Sequence, residues 1–122
     1  MSYNWGPHYI VPSKSLHSYS GIIQLREELD EELLQKELES LGIHGTILKV
    51  TNPWYCRRKD RQTWIKIGES ADKEESFPTS WDTRVLENGQ YEIMGLMHVF
   101  VKKADTEIVI ARQNIVEVTV EN

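Results

Sequence analysis

The hydrophobic positions of this chain follow two different periods. Gln90 to Lys102 alternates, with Tyr91, Ile93, Gly95, Met97, Val99 and Val101 on one side, and this predicts a strand. Glu107 to Val120 carries two apolar runs, Ile108-Val109-Ile110 and then Ile115, Val116, Val118 and Val120, with a bend expected at Gln113-Asn114. Upstream, Thr46 to Thr51 and Thr63 to Ile67 read as strands, and Phe77 to Thr83 reads as a short one. Tyr9-Ile10-Val11 has prolines on both sides (Pro7 and Pro12), which fits an edge strand better than a central one.

Gly21 to Leu41 first resembles one long helix, but projection at 100° per residue splits its apolar set. Ile22, Leu25, Leu29 and Leu33 fall on one arc, while Leu34, Leu38 and Leu41 fall well round from it. A helix over about 30–41 repairs the mismatch, because Leu33, Leu34, Leu38 and Leu41 then share a face. Asp30 suits its N-cap, Glu31 and Glu32 suit the positive end of its dipole, and Gly42 suits its C′ position. Gly21 to Leu25 becomes a strand. The expected architecture is a single domain over 1–122: an all-β antiparallel sandwich of about seven strands, immunoglobulin-like, with one short α-helix inserted between the second and third.

The most specific string is Trp81-Asp82-Thr83-Arg84-Val85-Leu86-Glu87-Asn88-Gly89-Gln90-Tyr91, which runs directly into the strongest strand. Trp81, Asp82, Leu86, Gly89 and Tyr91 carry the form of a tyrosine corner. In that device the ring enters the core while its hydroxyl returns to an upstream backbone group. With the closing run Val116-Glu117-Val118-Thr119-Val120, this stretch resembles bacterial immunoglobulin-like and fibronectin-III-like modules. The resemblance covers roughly 76–122, and the helix and the Asn52–Arg58 segment depart from it. It implies a non-catalytic module that spaces, docks or recognises, and it names no ligand, because such folds host many functions.

Composition narrows the picture further. No apolar run approaches the roughly 18 residues a bilayer crossing requires, so membrane insertion is not expected. Met1 to Gly6 lacks the basic start of a signal peptide, which leaves a cytoplasmic chain or a module excised from an exported protein. Cys56 is the single cysteine, so no intrachain disulfide forms. Seven acids against Arg26 and Lys36 between Ile22 and Leu41 account for the whole net charge of −5. The acidity is therefore one local face, packed by the helix leucines or offered to a basic partner.

Candidate chemistry concentrates between Asn52 and Trp64. Trp54, Tyr55 and Trp64 beside Arg57, Arg58 and Arg61 suggest aromatic faces for stacking a carbohydrate, set against a plain solvated hairpin loop whose tryptophans fold onto the sheet. One basic loop on an acidic domain is a weak footprint for nucleic acid, so none is expected as a partner. The four histidines (His8, His17, His44 and His98) lack ligand spacing, so no metal and no cofactor are expected, and His98 should be exposed. Cys56 has no histidine near it in sequence, and glycines too scattered for a phosphate loop complete a reading that is not enzymatic. A protein partner or a neighbouring domain is the expected ligand, with carbohydrate as the alternative.

Overall fold

The computed structural model describes Ile10–Val11 and Tyr19–Asn122. Among these residues seven strands and one α-helix follow in the order β1 (Ile10–Val11), β2 (Ile22–Glu27), α1 (Glu31–Ser40), β3 (Thr46–Arg58), β4 (Ile65–Ser70), β5 (Thr79–Asp82), β6 (Gly89–Lys103) and β7 (Thr106–Val120). They form two antiparallel sheets, β1-β2-β5 and β4-β3-β6-β7. The chain is an all-β sandwich with a short inserted helix. In the constant-type immunoglobulin arrangement the fourth strand joins the sheet of the fifth; here β4 pairs with β3 instead. The expected edge strand survives as Ile10–Val11 on β2, while Tyr9, His8 and His17 lie outside the described residues.

The two layers differ in length, and α1 makes up the difference. β6 and β7 pair over fifteen consecutive positions, far beyond the reach of β2 and β5. One half of the long sheet therefore packs on the short sheet, burying Leu25, Trp54, Cys56, Trp81, Tyr91, Ile93, Val118 and Val120. The other half is covered by the helix, whose Leu34 and Leu38 pack against Val50, Phe77, Met97, Val99 and Val101.

The helix begins and ends where its caps dictate. Asp30 accepts a hydrogen bond from the Leu33 amide at 3.1 Å. Gly42, at φ 74°, closes a Schellman motif in which Ile43 N–H donates to the Leu38 carbonyl at 2.9 Å and Gly42 N–H donates to Glu39 at 3.0 Å. Leu33 is half-buried but Leu41 is exposed, because it is the C-cap and turns away from the shared face.

Three expectations need correcting. β3 does not stop at Thr51 but runs on through Arg58, so the supposed hairpin loop shrinks to Lys59–Trp64. Pro53 hides the continuation: it has no N–H, and pairing with β6 lapses at Asn52 and Pro53 before resuming at Trp54. Thr63 and Trp64 precede β4 rather than forming it. Finally, β7 shows no break at Gln113-Asn114, and Leu96 and Gly95 pair with those two residues in unbroken register.

Candidate functional site

The ends of β3 and β6 bring most of the candidate residues to one end of the sandwich. Cys56, Arg57, Arg58, Arg61, Ile65, Val85, Leu86, Glu87 and Tyr91 line an open cleft of about 350 Å³. Its wall is held by committed charges. Arg57 Nε donates to Glu92 Oε1 at 2.9 Å, and its guanidinium lies 4.2 Å from the Trp64 ring centroid. Arg58 Nη1 donates to Glu87 Oε2 at 2.9 Å, with Asp60 at 3.6 Å and the Tyr91 ring 5.7 Å away. Lys59 pairs with Glu117 at 2.7 Å. Arg61 differs from these: its side chain makes no hydrogen bond or ion pair among the described residues. Beside it Ile65 is 60% exposed and Val85 is 81% exposed.

The cleft floor rests on the segment 81–91. Trp81 is buried and meets Tyr91 edge-on, with ring centroids 6.4 Å apart. The Tyr91 hydroxyl donates to the Glu87 carbonyl at 2.8 Å. Asp82 caps the short 3₁₀ turn Thr83–Val85 by accepting from the Arg84 amide at 3.0 Å. It also pairs with the Arg84 guanidinium, which holds its carboxyl below the ordinary range. Gly89 has φ 150°, and a Cβ there would lie 3.1 Å from Arg58 Nη2. Leu86 is half-buried against the core.

The aromatic candidates separate. Trp54 is fully buried, and its indole N–H donates to the Phe77 carbonyl at 2.9 Å, so it presents no face to a ligand. Its even-numbered position places it inward with Val50, Asn52 and Cys56. Tyr55 and Trp64 are each half-buried. Burial raises the Cys56 thiol, with a hydrogen bond to Trp81 opposing the rise. His98 is half-buried rather than exposed, and His44 is exposed. Among the described residues no group of three or more His, Cys, Asp or Glu side chains is placed to hold a metal ion. Nor is any helix among them long and apolar enough to cross a membrane.

A second polar site was not anticipated. Glu27 counts by sequence among the solvated acids, yet it is fully buried, because the inward positions of β2 are Ile23, Leu25 and Glu27. Its carboxylate accepts from Asn114 Nδ2, which is 3.3 Å from each oxygen. Burial pushes its pKa from an ordinary 4.5 to about 7, and the Asn114 bond opposes the rise. Asn52 is also buried, with neither amide atom hydrogen-bonded. Arg112, inward on β7, pairs with Glu37 of α1 at 3.1 Å. These residues separate the two apolar clusters. A signal existed in the sequence, since Arg112 and Asn114 interrupt the otherwise apolar even positions from Ile108 to Val120.

Comparison with protein-family models, with curated proteins and with solved structures finds no match for this chain.

Proposed function

We propose that this chain is a non-catalytic interaction or spacer module of a larger multidomain protein, which seats a protein partner or neighbouring domain at the arginine cleft. The observation that carries the reading is Arg61, an uncommitted guanidinium in a cleft that the exposed side chains of Ile65 and Val85 also line. Apolar side chains left in water beside a guanidinium suit a protein segment that brings a carboxylate and an apolar residue together. The same Thr83–Asn88 loop binds Asn122, whose side-chain amide donates to Thr83 O at 2.7 Å and whose backbone N–H donates to Asn88 Oδ1 at 2.8 Å. The Tyr91–Glu87 bond and the seven strands in two sheets support kinship with the bacterial immunoglobulin-like and fibronectin-III-like modules.

Carbohydrate binding remains a second reading on a reduced platform. Tyr55 opposes Lys66 across the β3–β4 pair, and Arg57, two residues on, carries Trp64 on its guanidinium, so two of the three rings share the outer side. One experiment separates the readings. Peptides bearing a carboxylate between apolar residues, and a panel of polysaccharides, are titrated while the Trp64 indole resonance is followed by NMR. Saturable shifts with the peptides, lost in Arg61→Glu and in Val85→Asp, are the expected result. Saturation by a polysaccharide that Trp64→Ala abolishes and Arg61→Glu leaves intact would favour the sugar platform instead.

A further inference from the structure

A sheet edge offers unpaired N–H and C=O groups to any strand of matching length, and proteins blunt such edges by shortness, bulges, prolines or lysines. The described edges of this molecule are mostly blunted. β1 has two residues and β5 has four. The half of β3 that extends beyond β4 carries a register shift between Ile47 and Lys49, and Lys49 itself. β4, the other edge of the long sheet, has six residues and carries Lys66. β7 is the exception. It pairs with β6 through fifteen positions without a shift, and Thr106–Arg112 has neither proline nor lysine. Among the described residues nothing pairs with the outer side of that segment. Arg112, its one inward-pointing charge, is tied to Glu37 of the same molecule.

We infer that two copies of this chain join through Thr106–Arg112, antiparallel, with Val109 at the twofold axis. The segment Thr-Glu-Ile-Val-Ile-Ala-Arg is self-complementary about that residue. Val109 opposes Val109, Ile108 opposes Ile110, Glu107 opposes Ala111 and Thr106 opposes Arg112. No like charges face each other, and the exposed Val109 side chains become a cross-strand apolar pair. Moving the axis to Ile110 would set Ile108 against Arg112 instead. The joined molecule has one continuous eight-stranded sheet, an isologous assembly in which each edge satisfies the other. This surface is independent of the arginine cleft.

Sedimentation velocity from low-micromolar to near-millimolar concentration is the first measurement. The expected result is a monomer–dimer equilibrium that Val109→Lys shifts to monomer at least tenfold, while circular dichroism and thermal midpoint show that the fold persists. The register has its own test. Directly opposed residues in an antiparallel pair lie about 4.5–5.5 Å apart at Cα, within the range of a disulfide. Under mild oxidation Val109→Cys should therefore crosslink two chains, and Glu107→Cys, which faces Ala111, should not. A monomer across the whole range would overturn the inference. So would a dimer indifferent to Val109→Lys, or crosslinking that is no faster at 109 than at 107.

Discussion

The carboxylate of Glu27 rests on the bare Cα of Gly95. A Cβ added to that glycine would lie 2.6 Å and 2.9 Å from the two carboxylate oxygens. Those contacts are far inside van der Waals distance, and β6 is held at this point by Trp54 on one side and Asn114 on the other. Gly95→Ala is therefore expected to destabilise the fold by about 2 kcal/mol, read as a lower urea midpoint with an unchanged slope. Combining it with Glu27→Ala should return part of the loss, because the obstructing side chain is gone. An additive double mutant would show that the two residues do not share the space.

The same carboxylate makes stability depend on pH in an unusual direction. Its folded pKa of about 7 lies above the ordinary 4.5, so the folded chain holds this proton more tightly than the unfolded chain does. Its contribution is fully present below about pH 4.5, declines as pH rises, and is lost above about 7, a change on the order of 3 kcal/mol. Chemical denaturation between pH 5 and 8 should show this decline in the native chain. Glu27→Gln keeps an acceptor and a similar volume without ionising, so its curve should be flatter there. Parallel curves for the two proteins would assign the pH dependence to other groups.

Tyr91→Phe removes the donor to Glu87 and leaves the ring in place against Trp81. The expected cost is about 1 kcal/mol, since the bond is partly buried and one acceptor loses its partner. Amide exchange in the Leu86–Gly89 segment should quicken by more than the global loss accounts for. Equal changes throughout the domain would mean that the hydroxyl does not pin this loop.

Ala104 turns the β6–β7 hairpin at φ 54°, a conformation that burdens every residue with a Cβ. Ala104→Gly removes that strain, and the glycine's greater freedom in the unfolded chain offsets part of the gain. A net stabilisation of about 0.5 kcal/mol, or a thermal midpoint a few degrees higher, is the expected outcome. A lower midpoint would place the strain elsewhere.

Much of the fold was legible because its strongest elements obey a single period. From Tyr91 through Val101 every odd position is buried, with Met94 the one even position buried among them, and Asp30 and Gly42 mark the ends of α1 with their own side chain and backbone. What escaped lies where one residue serves two constraints. Pro53 interrupts the β3–β6 ladder and so reads as the start of a loop, which left Trp54 open to two readings, a ligand face or a ring folded onto the sheet, of which the buried ring is the second. Gln113-Asn114 reads as a bend because polar residues such as Asn114, and Arg112 before it, rarely occupy inward positions. They are tolerated because Glu37 and Glu27 come to them from α1 and β2, about 75 and 87 residues away in the chain. Periodicity reports which side of a strand faces inward; it cannot report that a distant partner waits there. The cleft is intermediate in this respect. Arg57, Arg58 and Arg61 were visible as a cluster, but Val85 and Ile65 join them only through the pairing of sheets.

The fifteen-position β6–β7 pairing also sets an order of events. Its two strands are separated by two residues, so the hairpin closes a minimal loop and its register grows outward from Ala104-Asp105. Pairing of Ile22 with Asp82 instead joins positions about sixty residues apart, and little favours it until both have a surface to settle on. The long hairpin is thus expected to form ahead of the β2–β5 pairing. Substitutions along Gly89–Val120 should slow folding, whereas those in β2 or β5 should chiefly hasten unfolding.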